Sequence, residues 1–235
     1  MYHRMGLPRL SSLVAGHYVA PLLFSSQLDY LTVRDWSAVG LESLVEKSRF
    51  GRAAERDEYA ITFDDGYLSV YRYAFPALLE RRMTATVYVV SGAIDGTNEW
   101  DRRAGDQSEP MMTRAQVREM AERGFEIGSH TLTHPHLTGL TEAELTRELT
   151  DSKHQLEDVI GREVVSFAYP YGDYDDRVMA AAIAAGYRNA VSTRLGVVGR
   201  TSVFEIPRVN VRWNAFGPLL MRKIRRARRA SGVGR

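Results

Sequence analysis

The sequence predicts an α/β fold, a single barrel of parallel strands with helical crossovers, on three observations. Strand-like and helix-like patterns alternate along most of the 235 residues, a rhythm that implies parallel strands returned by helices. The residues with chemical potential fall at the ends of several different strands, which favours a closed barrel over an open doubly wound sheet. No glycine-rich phosphate loop follows the first strand, so dinucleotide binding is not expected. The length suits one large α/β domain, and an apolar content of 44% is sufficient for its core.

The elements follow in order. Tyr2-His3 is the end of a first strand. Apolar spacing over 21–31 (Leu22, Leu23, Phe24, Leu28, Leu31) predicts a helix packed on a core, and 35–47 continues with Leu41, Leu44 and Val45. A polar stretch, 49–58, leads into a β-branched and aromatic strand over 59–63. A helix over 68–82 is interrupted by Pro76, which kinks it. Residues 84–90 have the near-continuous apolar character of a buried parallel strand. The polar loop 91–110, carrying Trp100, is long enough to be functional. Thr113 caps a helix closed by Gly124, and a short strand follows at 125–127. Thr141-Glu142-Ala143-Glu144 is a capping box opening a helix through Ile160. A strand over 163–167, an alanine-rich helix over 174–185 stopped by Gly186, and strands over 187–191 and 204–211 complete the chain.

The stretch Ile61-Thr62-Phe63-Asp64-Asp65-Gly66 ends a strand in two adjacent carboxylates. Neighbours on a strand point to opposite faces, so a shared site needs the sharp turn that Gly66 permits. Two carboxylates this close raise each other's pKa unless a cation neutralises one, and the natural cation is a metal. His130 and His134, in Gly128-Ser129-His130-Thr131-Leu132-Thr133-His134-Pro135, supply further ligands from a loop. Two histidines and one carboxylate leave a fourth position open, the pattern of a catalytic zinc-type site. Either motif alone could as well be an ordinary polar turn or loop; together, each at a strand end, they predict a metal centre.

The formal net charge is +2, unevenly spread. Residues 222–235 hold seven basic residues and no acid, so the rest of the chain is mildly acidic. The organisation expected is a domain over 1–218 and a basic tail over 219–235. That tail is either an amphipathic helix in peripheral contact with an anionic membrane or a solvated terminus. Nucleic acid is not an expected partner, because no aromatic residues interleave the basic ones. The absence of cysteine excludes disulfide and thiolate chemistry. No signal peptide or apolar run of spanning length is visible, so a cytoplasmic location is expected.

Thr62-Phe63-Asp64-Asp65-Gly66, then His130-Thr131-Leu132-Thr133-His134-Pro135, then Phe167-Ala168-Tyr169-Pro170-Tyr171-Gly172 resemble, in order and spacing, the first three motifs of the polysaccharide deacetylases, the NodB-homology family 4 carbohydrate esterases. Tyr2-His3-Arg4 and Ile206-Pro207-Arg208 resemble a subgroup linked to extracellular polysaccharides. The resemblance implies a distorted (β/α)7-type barrel and a divalent metal, often zinc. It implies Asp64 as general base, Asp65 as metal ligand with His130 and His134, and the Tyr171 backbone N–H as an oxyanion donor. The substrate implied is an N-acetylated amino sugar in a poly- or oligosaccharide or a smaller glycoconjugate. Hydrolysis of a non-sugar amide or cyclic imide, and glycan binding without turnover, are the alternatives.

The chemistry agrees with these roles. Zinc lowers the pKa of a bound water to about 7, and a neighbouring carboxylate takes its proton. A preorganised donor for the oxyanion is typically worth ~100–1000-fold, and the departing amine needs an acid. Here the sequence departs from the family. The usual late Leu-x-His is absent, since no histidine follows His154; Ala168 stands where an arginine often precedes the third motif's proline by two residues; and no Asp-x-x-x-Trp is evident. His3, at a strand end beside the last strand of a closed barrel, is the candidate acid. Arg208 is the candidate replacement for the arginine beside Asp64. Trp100 is either a sugar-stacking residue or a loop anchor. His136 is expected near a ligand or at the surface, His17 and His154 in solvent, and Trp36 and Trp213 in packing.

Overall fold

The computed structural model describes residues 1–8, 12–50, 57–199 and 202–232. Five parallel strands form its central sheet in the order β5 (Thr62–Phe63), β6 (Thr86–Val89), β7 (Glu126–Ser129), β8 (Ser166–Ala168) and β9 (Asn189–Val191). The ring closes through two extended segments. Ile206 makes a parallel bridge to Val191, and the Val211 N–H donates to the Met1 carbonyl at 2.9 Å. The Tyr2 N–H then donates to the Thr62 carbonyl (2.8 Å) and the Asp64 N–H to the Tyr2 carbonyl (2.9 Å). Five strands and two extended segments thus make a distorted seven-stave barrel. Two short parallel pairs lie outside it: β1 (Arg4–Met5) with β2 (Tyr18–Val19), and β3 (Ser37–Ala38) with β4 (Glu58–Tyr59).

Helices cover the barrel: α1 (Pro21–Thr32), α2 (Leu41–Arg49), α3 (Phe75–Glu80), α4 (Glu99–Arg103), α5 (Arg114–Glu122), α6 (Glu142–Ile160), α7 (Asp176–Ala184) and α8 (Gly217–Ala230). Both predicted helix starts are realised as capping boxes, Thr113 with Gln116 and Thr141 with Glu144. Helix α6 buries Leu145, Leu149 and Leu156 at helical spacing, and the core continues through Phe63, Val87 and Phe167. At ~25 cal/mol per Å2 of apolar area removed from water, this burial is the main stabilising contribution.

Several expectations need adjusting. The helix over 68–82 is a wide π-turn at Val70–Ala74 followed by α3. The imino nitrogen of Pro76 falls in the first turn of α3, where it needs no bond. The strand over 59–63 breaks into β4 and β5, and 35–47 divides into β3 and α2. Residues 204–211 form no strand; Ile206 contributes a single bridge. Trp213 is 62% exposed, against the packing role expected of it. Trp36 does pack, beside Tyr59 and under Arg228. Most of the polar stretch at 49–58, and Arg235 of the tail, lie outside the described residues.

The basic segment is docked through α8. Leu220, Ile224 and Ala227, spaced four and three apart, are buried against the body, while Arg222, Arg225, Arg226 and Arg229 are exposed. A helix lying in a membrane needs a free apolar face, and this one has spent its stripe on the domain. No described helix is long and apolar enough to cross a membrane.

Candidate active site

The site forms where β5, β7 and β8 end beside the amino-terminal segment. After Phe63 the chain turns through Asp65 (φ 74°) and Gly66 (φ 87°). A Cβ on Gly66 would lie 3.2 Å from Val89 Cγ1, so the position demands glycine for conformation and for space. The turn separates the two carboxylates by role: Asp64 faces Arg208 and Asp65 faces the histidines.

His130 leaves β7 with its N–H donating to the Val89 carbonyl at 3.0 Å. Its Nδ1 lies 2.7 Å from the carbonyl oxygen of Ala168. A carbonyl only accepts, so Nδ1 carries the proton and Nε2 presents a lone pair. That Nε2 lies 3.2 Å from Asp65 Oδ1, and His134 Nε2 lies 3.4 Å from the same oxygen. One ligand atom from each of Asp65, His130 and His134 falls within 4.8 Å of the others, and all three residues are buried. Donors bound to zinc at about 2.0–2.1 Å in a tetrahedron stand about 3.3–3.4 Å apart. The two Asp65 separations match that edge, so the donor set and these two distances fit a divalent cation.

The histidine loop is strained and clamped. Thr131 (φ 67°) and His134 (φ 63°) are left-handed, as is Tyr171 (φ 59°). With Asp65, these make four of the seven non-glycine residues at positive φ among the described residues. Such strain persists only where the surroundings over-determine it. Glu148 of α6 supplies much of the restraint: its carboxylate accepts from the N–H groups of Leu132 and Thr133 (2.9 Å each) and from Thr133 Oγ1 (2.6 Å). Sequence reasoning missed Glu148. The available signal was an acid on the inward stripe of α6, between Leu145 and Leu149.

Asp64 does not reach the histidines. Arg208 grips it through a bidentate fork, Nη1 to Oδ1 at 2.6 Å and Nη2 to Oδ2 at 2.7 Å. The fork is itself fixed by Thr62 Oγ1 (3.1 Å) and the Ser192 carbonyl (2.9 Å). Burial alone would raise the Asp64 pKa, but the Arg208 guanidinium overrides it and holds the carboxyl below its usual value.

His3 lies on the segment hydrogen-bonded along β5. It stacks on His17 at 4.4 Å, the register in which Arg4 pairs with Tyr18. His17 is therefore half-buried, against the solvent position expected of it; His154 is exposed as expected. Burial lowers the His3 pKa to about 4 against the pull of Asp65 and Asp64. Tyr171 is half-exposed, its ring edge-on to His134 (4.6 Å) and stacked on His136 (4.1 Å). The Trp100 indole, expected on a loop, sits on α4 and stacks on His134 at 4.6 Å. Thus the eight candidate residues gather at one end of the barrel: Asp65, His130, His134, Trp100 and Tyr171 in one cluster, Asp64 paired with Arg208 beside it, and His3 stacked on His17.

The chain is similar to known proteins in sequence and in fold. The family model described as polysaccharide deacetylase matches residues 51–190. The polysaccharide deacetylase-family protein YxkH of Bacillus subtilis (strain 168) is 32% identical over 152 residues, 64% of this chain; the chain spans 50% of that protein's length. A poly-beta-1,6-N-acetyl-D-glucosamine N-deacetylase of Staphylococcus aureus (strain MSSA476) is 24% identical, covering 89% of this chain and 73% of its own. Among solved structures, the Streptococcus pyogenes deacetylase PplD, in complex with acetate, superposes with a TM-score of 0.82 at 23% identity over 95% of this chain and 96% of that one. IcaB from Ammonifex degensii gives 0.78 at 24% identity over 94% of each chain. The family match over more than half of the sequence, on a barrel of the same fold, establishes that this chain belongs to the polysaccharide deacetylase family.

Proposed function

We propose that the protein removes the acetyl group from an N-acetylated amino sugar of a poly- or oligosaccharide, by metal-assisted hydrolysis. The observation that carries this reading is the division of labour at the β5 end. Asp65 converges with His130 and His134, while its neighbour Asp64 is held ionised by Arg208. The relatives named for N-acetylglucosamine polymers support an amino-sugar substrate.

A divalent cation on Asp65, His130 and His134, for which the donor set favours zinc, would polarise the acetyl carbonyl and acidify a water. Asp64 takes the water proton; its oxygens point from a fixed fork, and it stays ionised through the neutral range. The Tyr171 N–H, on a turn locked by Gly172, donates to the oxyanion. His3 gives the departing nitrogen its proton. The imidazole is neutral in the resting protein; the negative charge of the tetrahedral intermediate helps it take up the proton that Asp64 removed from the water, and passing that proton to the nitrogen leaves Asp64 ionised again. Bond cleavage leaves acetate and a free amine.

The test is acetate release from β-1,4- and β-1,6-linked N-acetylglucosamine oligomers, with and without a chelator. Release that is lost on chelation and restored by Zn2+ is the expected result. Chelator-insensitive hydrolysis would favour an amide or imide hydrolase of another kind. Absence of release with metal bound would leave a glycan binder.

A further inference from the structure

Among the described residues, Nδ1 of His134 is buried without a hydrogen-bond partner. This is unusual for a metal ligand. A ligating histidine ordinarily donates its second ring N–H to a carboxylate or carbonyl, which fixes ring orientation. His130 does so, through Ala168. His134 has aromatic walls instead. The Trp100 indole lies nearly parallel to it (4.6 Å, 25°), and Tyr171 (72°) and His130 (75°) stand edge-on at 4.6 and 4.8 Å.

The Trp100 wall is in turn clamped from beneath. Helix α4, which carries it, has only five residues and little stability of its own. Its next residue, Asp101, accepts from the buried Arg4 guanidinium, from Tyr67 Oη (2.7 Å) and from Asn98 Nδ2 (2.9 Å). Arg4, 2% exposed, also donates to Asp106 (3.2 Å), Tyr67 Oη (2.8 Å) and Tyr18 Oη (3.1 Å). Asn98 Oδ1 accepts from the Glu109 N–H at 2.5 Å, tying the loop back on itself. A satisfied buried network of this kind rigidifies what it holds.

We infer that Trp100 is a positioning residue for the metal ligand His134, and that the Arg4–Asp101 network holds it in place. Stacking does for His134 what the Ala168 carbonyl does for His130. One face of the indole is thereby committed to the imidazole. The inference rests on the metal reading of Asp65, His130 and His134, and deepens it by assigning the source of His134 orientation.

The test is competitive titration of Zn2+ against a chromophoric chelator, on the full chain. Trp100→Ala is expected to weaken Zn2+ binding by about 10–100-fold, the range typical of lost ligand support. Trp100→Phe, which keeps a ring on the imidazole, is expected to return to within about threefold. Asp101→Asn, which keeps shape but weakens the grip of Arg4, should fall between them. Thermal melts of the metal-free variants separate this from loss of fold, since a general folding defect would not be rescued selectively in Zn2+ affinity by Phe. Co2+ quenching of tryptophan emission gives an independent readout: it should be strong in wild type and mostly lost in Trp100→Phe, where Trp36 and Trp213 remain. A Zn2+ affinity in Trp100→Ala within twofold of wild type overturns the inference while leaving the metal site intact. Failure of the wild-type chain to bind Zn2+ would instead overturn the metal reading itself, and the inference with it.

Discussion

Replacing Arg208 tests the Asp64 environment most sharply. Arg208 side-chain exposure is 5% and that of Asp64 is 3%, so neither charge has water to fall back on. Arg208→Met leaves the carboxylate buried and uncompensated, a change that typically costs 3–5 kcal/mol, against a typical domain stability of about 5–15 kcal/mol. Arg208→Lys keeps a charge but not the planar fork. It forfeits one to two charge-assisted hydrogen bonds, about 1.5–6 kcal/mol in all at ~1.5–3 kcal/mol each. The pH dependence follows from the direction of the shift. Asp64 is depressed in the folded protein, so the pair's contribution is complete above the unfolded carboxyl pKa of ~3.9 and is lost as pH falls through the folded value. The stability gap between wild type and Arg208→Met is therefore widest near neutrality and closes in acid. In kcat/KM, the acid limb belonging to Asp64 should move upward, because the strongest charge opposing burial is then gone. Urea melts at pH 7 and 3.5, with a pH–rate profile, measure both. An Arg208→Met protein within about 1 kcal/mol of wild type at pH 7, with an unchanged profile, would refute the reasoning.

Two further outcomes follow. The His3 imidazole is lowered from 6.5 to about 4, so its neutral form contributes stability that is complete above pH 6.5 and lost as pH falls toward 4. The metal-free wild type should lose about 3 kcal/mol more than His3→Gln across that window in denaturant melts, and normal kcat in His3→Gln at matched metal occupancy would remove His3 from the chemistry. Gly172 has φ 73°, and a Cβ there would lie 2.0 Å from Thr193 Oγ1. Gly172→Ala should therefore displace the Tyr171 N–H and lower kcat by about 10-fold or more with metal content unchanged, as steady-state kinetics and metal analysis would show.

What was legible in the sequence had short-range causes. Thr113 and Thr141 announced their helices because a capping box is decided within four residues. Asp64-Asp65-Gly66 and His130 through His134 were legible because each motif is contiguous and sits at a strand end. Arg208 was placed beside Asp64 from the family pattern, and in the structure its guanidinium forks onto that carboxylate. The rest depended on distant partners. Glu148 was hidden within an amphipathic stripe, because its meaning comes from a loop it meets only in the fold. Residues 204–211 carry strand composition, yet only Ile206 bridges a neighbour. The arginine-rich end looked free because charge dominates its composition; its three buried residues become visible only against the body. His17 acquired its place through the register of β1 with β2, which two-residue strands do not advertise.

The central claim is that Asp65, His130 and His134 hold one cation while Asp64 acts on water beside it. The direct measurement is metal stoichiometry together with acetate release for Asp64→Asn, alongside wild type. The account predicts one bound divalent ion per chain in both proteins and acetate release only from wild type. Loss of the metal in Asp64→Asn, or acetate release at the wild-type rate, would contradict it.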